Sequence, residues 1–180
     1  MNAFEVLGVP ERLIFRDEEL REAFREAGKR LHPDAGGGEG DFAALKEAMA
    51  ILSGPSRRLS HWLSLRGVAV EPRGMIAERL MDLFGKIGGV TQTAEAVIRK
   101  RESTLSALGK ALLEPEIQGC LEKVEEMIAA VDEMIDGECA VFPEWENGRP
   151  DPAVASRKVR NLAFLEKWKA SLKSCYARLV

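Results

Sequence analysis

His32, Pro33 and Asp34 stand together, an imidazole and a carboxylate separated by one proline. Such a pair could ligate a metal or act as a base with its orienting acid. Either role needs further groups. His61 is the second of two histidines and has no evident partner in the sequence, and Cys120, Cys139 and Cys175 lie far down the chain. No ligands or carboxylates cluster at ligand spacing, so neither a metal, a cofactor nor catalysis is implied. The glycine-rich stretch Ala35 to Gly40 follows no strand pattern and lacks the Lys-Ser/Thr of a phosphate loop, so it is no nucleotide site. A recognition role remains. Arg21, Arg25 and Lys29 recur at steps of 4, with Arg30 beside them. On a helix this spacing gathers a basic face. Such a face suits an acidic partner, where complementary charge adds specificity and association rate more than affinity. Glu18, Glu22 and Glu26 also fall at helical spacing and neutralise part of it, so a plain solvated face is the competing reading.

The elements that must position these residues are helices. Ala3 to Leu7 is a short apolar piece closed by Gly8-Val9-Pro10. Asp17 reads as an N-cap, and Leu20, Phe24, Ala27 and Leu31 step by 4, 3 and 4 along one stripe. That helix is expected to stop at His32-Pro33, because proline disfavours helical geometry in the residue before it. Phe42, Leu45, Met49 and Leu52 mark a second helix, ended at Ser53-Gly54-Pro55, and Ser56 to Leu65 a short third. Gly67 to Gly74 reads as a linker. Ile76, Leu80, Leu83, Ile87, Val90, Ala94 and Val97 then step 4, 3, 4, 3, 4, 3, the repeat of a bundle helix. Gly88-Gly89 should weaken or kink it, and the register slips toward Leu105, Leu108 and Leu112. Ile117, Leu121, Val124, Ile128, Val131 and Ile135 form a second stripe expected to open at Glu114-Pro115. Gly137 to Pro152 is expected to be a loop. A last helix, about Ala153 to Leu179, turns Leu162, Leu165, Trp168, Leu172 and Tyr176 inward.

Composition agrees with this all-α reading. The 180 residues are 46% hydrophobic, enough for a packed core. Lys plus Arg is 26 against 29 Asp plus Glu, a net charge of −3, which argues against a nucleic-acid partner. No apolar run approaches the roughly 18 residues of a membrane span. Three cysteines make no disulfide framework, and Met1 to Pro10 does not read as a signal peptide. A reducing, cytoplasmic setting is expected.

A basic helix, then His32-Pro33-Asp34, a loop and an apolar helix resembles the organisation of a J-domain. Proteins of that family are co-chaperones that stimulate the ATPase of DnaK-type chaperones. Leu52-Ser53-Gly54-Pro55-Ser56-Arg57-Arg58, with Leu63 to Gly67 and the opening Asn2 to Gly8, is similar to HscB-type proteins, the co-chaperones of iron–sulfur cluster assembly. Val159 to Lys167 resembles their last helix. The resemblance implies a J-domain at 1–67, a linker at 68–74 and an antiparallel three-helix bundle at 75–180. It implies that His32, Pro33, Asp34, Arg21, Arg25, Lys29 and Arg30 dock on a DnaK/HscA-type ATPase. It also implies that Leu80, Met81, Phe84 and Phe164 contact a client, an IscU-type scaffold. Where the family offers further glutamates, this chain has Gly85 and Gly88. The expected function is therefore a non-enzymatic co-chaperone delivering an iron–sulfur scaffold. The alternatives are a J-domain protein with another client, and a helical structural module whose J-like half stimulates no ATPase.

Overall fold

A computed structural model describes residues 1–30, 38–71 and 73–180. The His32-Pro33-Asp34 tripeptide, Leu31, Ala35 to Gly37 and the linker's Pro72 lie outside the described residues. Among those described, the elements are all helical: α1 Ala3–Leu7, α2 Asp17–Arg30, α3 Glu39–Ser53, α4 Pro55–Leu65, α5 Glu78–Ser103, α6 Ala107–Cys139, α7 Phe142–Glu146 and α8 Pro152–Leu179. By their contacts they form two compact units. One comprises Met1–Gly74 with Cys139–Ala163, the other Met75–Glu138 with Phe164–Val180.

In the first unit α1 packs on α2 and α3, and α3 on both α2 and α4. Asn2 caps α1 by accepting the Phe4 N–H at 3.1 Å. Gly8 ends it at φ 73°, a left-handed conformation that a side chain would strain. Asp17 was expected as a cap but sits inside the first turn of α2, and the Arg16 carbonyl starts the helix ladder instead. Pro55 stands in the first turn of α4, where its missing N–H costs nothing. Phe4, Leu7, Leu13, Leu20, Leu45, Leu52, Leu59, Trp62 and Leu63 are buried. The expected loop between Gly137 and Pro152 is corrected in part. α6 runs on to Cys139, and α7 then buries Phe142 and Trp145. Two aromatics in five residues have enough apolar area to order a segment that its prolines and glycines marked as a turn. Asp151 then caps α8, accepting the N–H groups of Ala153 and Val154 at 2.9 Å each.

In the second unit Leu80, Leu83, Ile87, Ala94 and Val97 of α5 meet Leu113, Ile117, Cys120, Val124 and Val131 of α6. Leu165, Trp168, Leu172 and Cys175 of α8 complete that core. The heptad positions therefore face inward as their spacing requires. α5 nevertheless runs unbroken through Gly88-Gly89. Its packed face outweighs a propensity cost of about 1 kcal/mol per glycine. α6 opens at Ala107, and Pro115 lies within it, so the expected opening at Glu114-Pro115 is corrected. The first turns of α6 hold Leu108 and Leu112 out into solvent, at 72% and 73% exposure, and the preceding Leu105 at 94%. The expected slip of the stripe onto these leucines does not occur, because Leu113 and Ile117 take the inward positions. Arg79 pairs with the buried Glu138, tying the start of α5 to the end of α6.

Candidate functional site

α2 carries the basic face. Its Arg21, Arg25 and Lys29 side chains are 62%, 64% and 73% exposed. Arg21 stands 3.9 Å from both Asp17 and Glu18, and Arg25 stands 3.8 Å from Glu18. Lys29 donates to Glu26 at 2.6 Å, which holds the Glu26 carboxyl below the usual carboxylate range. Pairs this exposed contribute little stability and open readily. The cations are therefore neighbours of carboxylates yet available to a partner. Arg30 differs from the other three. Its guanidinium lies against the Gly8 turn at the end of α1, where an added methyl would stand 3.3 Å from it.

The second surface is apolar. Met81 and Phe84 are 51% and 49% exposed on α5, and Phe164 is 36% exposed on α8. A spacing of three places Met81 and Phe84 on one side of α5. Both phenyl rings meet Trp168, with ring centroids 5.4 Å away for Phe84 and 6.0 Å for Phe164. Trp168 is thus the base that makes one patch of residues from two helices. In the sequence its place on an inner stripe marked it only as core. Leu80 is fully buried in the bundle core and is not presented to a client. Gly85 and Gly88 lie on the exposed side of α5, and a methyl at either would meet open space.

The other titratable candidates are structural. His61, with no evident partner in the sequence, has one in the fold: its Nε2 accepts the Ala3 N–H at 3.0 Å, and its ring stacks on Phe4 at 5.7 Å. Burial foremost, with the nearby chain amino group, pushes its pKa down against the opposing pull of Glu11. Cys120 and Cys175 are buried in the bundle, and burial pushes both thiols up, away from reactivity. Among the described residues no group of His, Cys, Asp and Glu side chains is arranged to hold a metal. No described helix is long and apolar enough to cross a membrane.

Known proteins resemble the chain in two ways. Residues 2–61 match the DnaJ domain family. A tetratricopeptide repeat and J domain-containing co-chaperone of Cryptococcus neoformans is 45% identical over 58 residues, 31% of this chain and 10% of that protein. Human DnaJ homolog subfamily C member 18 is 40% identical over 63 residues, 33% of this chain and 17% of that one. The chain thus spans 10% and 17% of these two relatives' lengths. Chaperone HscB from Vibrio cholerae matches over 100% of both chains, with a TM-score of 0.59 and 24% identity. The chain therefore carries a J-domain at its N-terminal end and has an all-α, HscB-like fold.

Proposed function

We propose that this protein is a co-chaperone that docks on a DnaK/HscA-type chaperone, stimulates its ATPase and hands it a client. The observation that carries this reading is the J-domain at residues 2–61, whose α2 presents Arg21, Arg25 and Lys29 to solvent just ahead of His32-Pro33-Asp34. The chain performs no chemistry of its own here. Docking through exposed cations and the tripeptide triggers hydrolysis on the partner, and the client is trapped as the partner closes. In functional terms residues 1–67 dock, 68–74 connect, and 75–180 hold the client, in a cytoplasmic setting. Leu80, Met81, Phe84 and Phe164 form or support the client surface, and an IscU-type iron–sulfur scaffold is the proposed occupant. The HscB-like fold and the exposed patch around Trp168 support that choice. Single-turnover ATP hydrolysis by a DnaK-type chaperone tests the docking half. Titration with an IscU-type scaffold tests the client half.

A second reading keeps the docking half and changes the client. Gly85 and Gly88 favour it, because they stand on the exposed side of α5 where glutamates would flank the patch. Absence of any affinity for the scaffold, with stimulation intact, would select this reading.

A further inference from the structure

The loop that launches α2 is held by a carboxylate from the far end of the sequence. Residues 8–16 between α1 and α2 form no regular element. They are fixed at three consecutive positions by three different helices. At Glu11 the backbone carbonyl accepts the Trp62 indole N–H of α4 at 3.3 Å. Arg12 pairs with Glu19 in the first turn of α2, and its guanidinium covers the Phe15 ring at 4.6 Å. Leu13 is fully buried, and its N–H is taken by the Glu146 carboxylate of α7. Glu146 is itself set by the neighbouring Trp145 and Phe142, buried with ring centroids 6.2 Å apart. A buried N–H left without an acceptor is costly, so Leu13 must move if Glu146 is lost. Arg12 is the next residue, and it holds the start of α2.

We propose that Glu146 is a positioning residue for the basic face of α2. By holding Leu13 it fixes Arg12, and through the Arg12–Glu19 pair it fixes the first turn of the helix that carries Arg21 and Arg25. The role assigned to that face rests on the docking reading above; the mechanical link does not. The J-domain family match stops at residue 61, so the carboxylate that holds this loop, Glu146, comes from beyond it.

The test is residue-resolved hydrogen exchange on the full chain, paired with single-turnover ATPase titrations against a DnaK-type chaperone. In Glu146→Ala the Leu13 amide, and those of Glu19 and Leu20, should exchange about tenfold faster, the equilibrium value of a hydrogen bond to a charged group. Amides of α5 should be unmoved. The protein concentration for half-maximal stimulation should rise several-fold while the maximal rate stays unchanged. Glu146→Gln, whose amide oxygen still accepts, should restore both. Faster exchange at Leu13 alone, with Glu19, Leu20 and the half-maximal concentration unmoved, overturns the proposal. So does a uniform rise in exchange across the chain that Gln fails to rescue. If the wild type stimulates no ATPase, the docking reading fails by itself, and the Glu19 and Leu20 amides alone decide the positioning role.

Discussion

The exposed face of α2 and the patch on α5 and α8, the two surfaces proposed to meet partners, obey different physics. The first is charge laid over charge. Arg21, Arg25 and Lys29 are loosely held by Asp17, Glu18 and Glu26, and every partner in that network is exposed. Its attraction reaches about 10 Å at 0.1 M salt and is lost as salt rises. The second is apolar area backed by a buried indole, and half of Met81 and Phe84 is already covered in the free protein. It has no long reach, and salt hardly affects it.

Three experiments sharpen or break this contrast. The largest effect is expected for Met81→Ala, Phe84→Ala and Phe164→Ala combined. Client affinity should fall by at least about 2–4 kcal/mol, since truncated interface anchors cost about 1–3 kcal/mol each and are not additive. Calorimetric titration at low and high salt measures it. Stimulation of the chaperone without client should be unchanged, and the melting temperature should fall by only a few degrees. A collapse in melting temperature would make the three residues core. Next is Arg25→Glu with Lys29→Glu. Chaperone association should slow by about tenfold at low salt, with the gap closing as salt screens it. Stopped-flow binding across a salt series reads this. Indifference to both changes would reduce α2 to a solvated face. A smaller effect comes from adding charge to the apolar side. Gly85→Glu with Gly88→Glu should tighten binding to the IscU-type scaffold by about 0.5–1 kcal/mol and make it salt-sensitive.

The contrast extends to pH. The neutral ring of His61 accepts the Ala3 N–H, and the folded state lowers its pKa. A proton bound there removes the acceptor. The unfolded chain binds that proton more readily, so the stability from His61 is complete above about pH 6.5. It is lost as pH falls from that value through the lowered folded one. Thermal melts from pH 7.5 to 5 should show this loss in the wild type and not in His61→Gln. An identical pH dependence in both would assign the effect to other groups.

Much of this was legible in the sequence where a period carried it. The stripe beginning at Leu20 and the heptads from Ile76 and Ile117 record which side of each helix is packed, and packing decides a helix's existence. Met81 and Phe84 fall off the heptad, which left them free to be exposed, as both are. Long-range partners left no such trace. Nothing periodic links Glu146 to Leu13, or His61 to Ala3, because one hydrogen bond between distant segments imposes no spacing. α7 was hidden by Gly137, Pro143 and Gly148, whose turn chemistry masks two buried aromatics. Leu108 and Leu112 misled in the opposite sense, apolar at helical spacing yet exposed. Trp168 was read as core, and it is core, but its ring is also what unites Phe84 with Phe164.

The central claim is that the J-domain of this chain drives hydrolysis on another protein, and single-turnover ATP hydrolysis by a DnaK-type chaperone tests it most directly. The rate should rise and saturate with added wild-type protein. His32→Gln should abolish the rise while leaving the melting temperature within a degree or two. No acceleration by the wild type would contradict the account and leave the helical structural module as the remaining reading, and equal acceleration by His32→Gln would contradict the role given to the tripeptide.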